Sequence, residues 1–173
     1  MKSERYGGEA RVKRARTRFN FRNRGNSLAV PLVFELEIPA RASEVGSVRR
    51  AIRAAVVRYG LDGEHADTAQ LVASELVMNA TLHGGAPILV RMSIERDATV
   101  LEVHDSGNDL PDLASLLESE PGRGLRVVDA LCDDWGSLTD DAGKTVWATI
   151  RHTSDPLPAE EAHKRRAADR PPR

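Results

Sequence analysis

Residues 74–85 read SELVMNATLHGG, and the reading of that stretch decides the fold. Leu71, Val72, Leu76 and Leu82 give it the apolar side of a helix, and Gly84 and Gly85 followed by Pro87 end it. Each helical residue advances about 100°, so Glu75 and Asn79, four apart, share a face. On the wheel they fall between Leu71 and Leu82 on one side and Val72 and Leu76 on the other, interrupting the apolar stripe. A buried carboxylate without a partner is costly, and an unpaired buried amide costs about 1–3 kcal/mol. Something polar must meet the pair: other side chains, ordered water, or a ligand.

Working outward, Asp62 is placed to cap this helix, which is expected from about Glu64 to His83. Upstream, LVFELEIPA (32–40) alternates apolar and acidic residues up to Pro39, the pattern of a strand with one buried face. Ser43 then precedes Val45, Val48, Ile52, Ala55 and Val56 at helical spacing, closed by Gly60. Downstream, ILVRMSIER (88–96) and TVLEVHD (99–105) predict two strands paired as a hairpin through a short link around Asp97. A loop from Ser106 to about Pro121 follows, punctuated by Gly107, Pro111 and Gly122, with a short helix expected in DLASLLES (112–119). GLRVVDALCDDWG (124–136) predicts a helix with Val127, Val128 and Leu131 inward, and strands close the domain near WGSLT and KTVWATI. The order β, α, α, β, β, loop, α, β, β implies an α+β two-layer sandwich, a mixed and mostly antiparallel sheet with helices on one face.

A chain of 173 residues, 40% of them hydrophobic, has room for one domain with a real core, expected over residues 28–152. The formal net charge of −1 gives the whole molecule no strong field toward nucleic acid or membrane. It hides a basic arm at residues 1–27, where nine cations including Arg11, Lys13 and Arg14 face only Glu4 and Glu9. Phe19 and Phe21 interleave with those arginines as in an arm that binds nucleic acid, but a solvated, disordered leader is the plainer expectation. Residues 153–173, with Pro156, Pro158, Pro171 and Pro172 among charges, read as a disordered tail. Cys132 is the only cysteine, which excludes an internal disulfide and any cysteine-based metal cluster. No run approaches the roughly 18 apolar residues of a membrane span, so a cytoplasmic location is expected.

Two further stretches carry polar residues at odd places. Along TVLEVHD the period of two puts Thr99, Leu101, Val103 and Asp105 on one face, so Asp105 closes an apolar row with a carboxylate aimed at the core side. Gly107 permits a tight turn there, or the close approach of something flat; alone, Asp-Ser-Gly is ordinary turn chemistry. In PGRGLRVVDAL, Gly122 and Gly124 flank Arg123 just before a helix, where free backbone N–H groups and the helix dipole favour phosphate oxygens. Glycine before a helix is common, and that signal is weak by itself.

In order, ELVMNATLHGG, VHDSGNDLP and GRGLRVVDALCDDWG resemble the N box and the two glycine boxes of the GHKL (Bergerat-fold) ATPases, which include gyrase and the histidine kinase catalytic domain. The length, the wording of the first box and the ending GKTVWATI look most like the anti-sigma-factor serine kinase branch, small bacterial ATP-binding regulators of transcription. The resemblance covers roughly residues 30–151. It implies that Glu75 acts as general base and that Asn79 coordinates Mg2+ held in turn by the triphosphate of ATP. Asp105 would bind the exocyclic amine of adenine while Gly107 lets the ring approach. Gly122, Arg123 and Gly124 would close over the phosphates, with the amide of Leu125 also available and His83 near the base of that lid. No Walker-type lysine loop is present, so phosphate binding would rest on metal, amides and Arg123.

Two positions depart from the family pattern. Asp109 stands where a second glycine is usual, and Lys144 follows Gly143 where many members have threonine. By strand parity Lys144 lies with Val146, Ala148 and Ile150 while Thr145 faces the other way, so the threonine's role is not carried over to Thr145. The function implied is an ATP- and Mg2+-dependent serine/threonine protein kinase that acts as an anti-sigma factor, binding a sigma factor and phosphorylating an antagonist, with homodimers suggested by the family. A nucleotide-binding module that sequesters a partner without phosphate transfer is the alternative, and a nucleic-acid binder acting through the basic arm stands third. A sensor histidine kinase is not expected, because no phospho-accepting helical hairpin precedes the N box.

Overall fold

In the computed structural model the described residues are 32–107, 123–153, 155–158 and 161. The basic arm, the DLASLLES segment, Asp109, Gly122 and most of the tail lie outside them. The elements are β1 (Leu32–Ile38), α1 (Val45–Arg58), α2 (Gly63–His83), β2 (Ile88–Ile94), β3 (Ala98–Asp105), α3 (Arg123–Leu131), β4 (Asp134–Asp140) and β5 (Gly143–Arg151). The strands form one sheet in the order β1-β2-β3-β5-β4, and every neighbouring pair is antiparallel. The sheet is thus antiparallel throughout its described strands, not mixed.

Helices α1 and α2 owe their packing to small and β-branched residues on one side. Val48, Ile52 and Val56 of α1 and Ala69, Val72, Ala73, Leu76 and Val77 of α2 are fully buried, together with Val90, Met92 and Leu101 from the sheet. Each such aliphatic side chain removed from water contributes about 1.5–3 kcal/mol, which makes this layer the main source of stability. Asp62 caps α2 as expected, its Oδ1 accepting from the His65 amide at 2.7 Å. Ser43 does not cap α1: it sits inside a 3-10 turn, Ala42–Glu44, and α1 begins without a side-chain cap.

In α3 the inward stripe is Leu125, Val128 and Cys132, spaced by three and four. Leu131 was expected inward but is 39% exposed, because it stands one residue, about 100°, off that stripe.

At one end of the sandwich the start of α2, the β2–β3 hairpin and the end of β5 meet. The Thr99 hydroxyl lies 2.9 Å from Nε2 of His65 and 2.9 Å from Nε2 of His152, and the two rings stand edge to face with centroids 4.8 Å apart. Burial, and then the neighbouring His152, push the His65 pKa below its ordinary value; burial does the same to His152 against the pull of Asp97 and Asp155. Thr153 and Leu157, in the segment read as a tail, contact this half of the molecule: Thr153 Oγ1 donates to Asp62 at 3.0 Å and the Leu157 amide to the Tyr59 carbonyl at 2.6 Å. The functional candidates gather at the other end of β3.

Candidate functional site

Glu75 and Asn79 are both half-buried on α2. The apolar stripe does not enclose them as the helical wheel implied. Leu71 is 38% and Leu82 66% exposed, so the pair marks the rim of the buried face and opens to one side of it. The amide nitrogen of Asn79 is nevertheless buried and has no hydrogen-bond partner among the described residues. Such an orphan donor costs about 1–3 kcal/mol if nothing ever meets it.

Asp105 ends β3 on the side facing the helices, as the period of two requires, and it is fully buried like Thr99 and Leu101 on the same face. One carboxylate oxygen is held tightly. Oδ1 accepts from the Gly107 amide at 2.9 Å and the Gly85 amide at 3.3 Å, and lies 3.4 Å from the ammonium of Lys144. The other oxygen, Oδ2, is buried and has no hydrogen-bond partner among the described residues. A carboxylate fixed through one oxygen and bare at the other is an acceptor waiting for a donor.

Glycine makes this crowding possible. A β-carbon on Gly84 would strike the Asp105 carboxyl group, and one on Gly107 would lie 2.9 Å from Oδ1. Gly143, at φ 140°, brings the β4–β5 turn against the Asp105 carbonyl, where any side chain would collide. Three chain segments thus converge on Asp105, two on its carboxylate and one on its backbone carbonyl.

Lys144 is the residue whose role sequence reasoning left open. It lies directly opposite Asp105 in the β3–β5 register, has no solvent exposure, and donates from Nζ to the His83 carbonyl at 3.0 Å. The signal was present: a lysine at a core-facing parity, in the strand that pairs with a core-facing aspartate. Thr145 does face the other way, its hydroxyl 3.2 Å from Nδ1 of His104 on the outer side of the sheet.

The start of α3 completes the site. A β-carbon on Gly124 would lie 2.7 Å from Oε2 of Glu75, so these two residues touch. Leu125 is 3% exposed, and its side chain belongs to the core. Arg123 is the first residue of α3, and Gly122 lies outside the described residues. The His83 side chain is exposed, and what this residue lends to the site's framework is its carbonyl.

The described residues contain no group of three His, Cys, Asp or Glu able to hold a metal ion by themselves. Mg2+ usually keeps several waters and takes one or two protein oxygens plus substrate phosphates, so the donor set here, Asn79 with Glu75 one turn away, fits a metal that arrives with a nucleotide.

The family model of the histidine kinase-like ATPase domain matches residues 38–150. No curated protein matches. Among solved structures, the chain is similar to the Erythrobacter litoralis EL346 blue-light activated histidine kinase, at 20% identity and a TM-score of 0.48, over 67% of this chain and 42% of that one. It is also similar to the histidine kinase domain from that protein, at 21% identity and a TM-score of 0.43, over 75% of this chain and 66% of that one. The chain therefore spans less than half the length of the first of these. No helix among the described residues is long and apolar enough to cross a membrane.

Proposed function

We propose, because the chain belongs to the histidine kinase-like ATPase domain family, that it is an ATP-dependent regulatory kinase that transfers phosphate to a serine or threonine of a partner protein. The observation that carries this reading is the pair of buried, unpartnered polar atoms, Oδ2 of Asp105 and Nδ2 of Asn79. One is an acceptor at the end of β3 beside glycines that admit a flat ring. The other belongs to a side chain whose oxygen suits a hard cation. Adenine's amine at the first and the metal-bound triphosphate at the second account for both.

The chemistry then falls to Glu75. Its carboxylate takes the proton of the acceptor hydroxyl as that oxygen bonds to the γ-phosphorus and the bridging oxygen leaves with ADP. Mg2+, held by Asn79 and the phosphates, supplies charge neutralisation when bound. Backbone amides at the start of α3, with the dipole of that helix and Arg123, stabilise the equatorial oxygens of the transferring group. We assign the partners by resemblance: a sigma factor that is bound and an antagonist that is phosphorylated.

The test is transfer of label from radiolabelled ATP to a candidate antagonist, with wild type and Glu75→Gln in parallel. Labelled product with wild type and none with Glu75→Gln supports the assignment. Full transfer by Glu75→Gln removes the base from the mechanism. ATP binding with no transfer to any partner leaves the sequestering module as the function.

A further inference from the structure

We propose that Lys144 is a specificity-determining residue of the base subsite, donating a hydrogen bond directly to the N1 position of the purine while Asp105 Oδ2 accepts from the exocyclic amine. This rests on the nucleotide-binding reading above.

The ammonium of Lys144 has three N–H groups and no solvent. Among the described residues it meets two acceptors, the His83 carbonyl at 3.0 Å and Oδ1 of Asp105 at 3.4 Å. One donor remains. On the same carboxylate, Oδ2 is an acceptor without a partner among the described residues. The protein therefore holds, on one buried carboxylate and its buried counter-ion, an acceptor and a donor that no described residue satisfies. Adenine's edge carries the complement, an amine donor next to the N1 acceptor. A 6-oxopurine carries the reverse, an acceptor oxygen next to an N–H, and would set like against like at both points.

A buried lysine is an expensive way to hold an aspartate, since both charges lose their water and an apolar pair of equal volume is often as stable. Gly85 and Gly107 already hold Oδ1 through their amides. Reading a ligand gives the lysine a role that structure alone does not require.

The experiment compares Mg2+ complexes of ATP, of purine riboside triphosphate, which lacks the amine, and of 1-deaza-ATP, in which N1 is a C–H, by titration calorimetry on the full chain. Wild type is expected to bind 1-deaza-ATP about tenfold more weakly than ATP, the usual effect of losing a hydrogen bond to a charged group. Lys144→Met is expected to bind the two alike. Should Lys144→Met fail to fold, with Asp105 left unpaired, Lys144→Gln, neutral and one bond shorter but still able to donate to the His83 carbonyl, serves the same comparison. A lysine that only braces the fold would weaken all three ligands together and leave their ratios unchanged. Equal affinity of wild type for ATP and 1-deaza-ATP, with purine riboside triphosphate still weaker, overturns the role of Lys144 and leaves nucleotide binding standing. No binding of ATP at all overturns both.

Discussion

Gly124 of α3 stands against the carboxylate of Glu75 on α2, so close that a β-carbon there would lie 2.7 Å from Oε2. The contact is with the far end of a flexible side chain, and it is the carboxylate that would give way. Gly124→Ala is therefore expected to leave the melting temperature within a few degrees of wild type while turnover falls at least about tenfold, since a displacement of about 1 Å at a catalytic group is felt that strongly. Parallel thermal melts and ATP-turnover assays check it. Unchanged turnover would mean that Glu75 needs no particular position.

Asp105→Asn replaces the bare oxygen by an amide. In one orientation its NH2 takes the place of Oδ2 and meets the adenine amine donor to donor; in the other it faces Gly85 and Gly107 amides and Lys144. Either way the variant should lose most of the stabilisation that ATP with Mg2+ confers. For wild type that stabilisation is about 2.7 kcal/mol at a hundredfold excess over Kd. Differential scanning fluorimetry with and without nucleotide measures both.

The histidine pair predicts an acid limb of stability. His65 and His152 ionise less readily in the folded chain than in the unfolded one, because burial disfavours the charge. Unfolded histidines titrate near about pH 6.5. Above that value neither state holds the protons and stability is flat. As pH falls below it, the unfolded chain takes up protons that the folded chain refuses, and the urea midpoint should drop. Asp62, whose carboxyl is held below its usual range by the His65 amide and the Thr153 hydroxyl, loses its contribution only below about pH 4, so the two windows separate. Replacing His152 by glutamine should flatten the upper one.

Cys132 is buried, and its thiol pKa is raised to about 12 by burial first and by Asp133 and Asp129 second. The thiolate is the reactive form. At neutral pH the native protein should resist iodoacetamide and label fully in denaturant, so labelling rate reports unfolding.

Most of the fold was legible because periodicity speaks for single elements. The hairpin of β2 and β3, the cap at Asp62 and the core-facing row Thr99, Leu101, Val103 and Asp105 all follow from local pattern. What was not legible depends on neighbours. Leu71 and Leu82 look like core on a wheel, yet they are 38% and 66% exposed, so Glu75 and Asn79 lie at a rim. Leu131 gave way to Leu125 and Cys132 because only the packed helix fixes which 100° of α3 turns inward. Of the site, Glu75, Asn79 and Asp105 stood out as polar residues at apolar positions. Lys144 did so too, but its partner is 39 positions away by number (144 − 105) and only the strand register joins them. His65, Thr99 and His152 gave no sign, since three residues from distant segments become a cluster only on folding.

The sheet order places β3 in the middle, flanked by β2 and β5, with Asp105 at its tip. Glu75, by contrast, sits at the seam between two helices whose contact depends on a missing side chain. If Asp105 grips the guest and Glu75 does the work, the grip is mounted on a beam braced on both sides and the working edge on a joint. On the proposed reading, evolution or an engineer could loosen the joint until the chain merely held its nucleotide, without disturbing the strand that would recognise it.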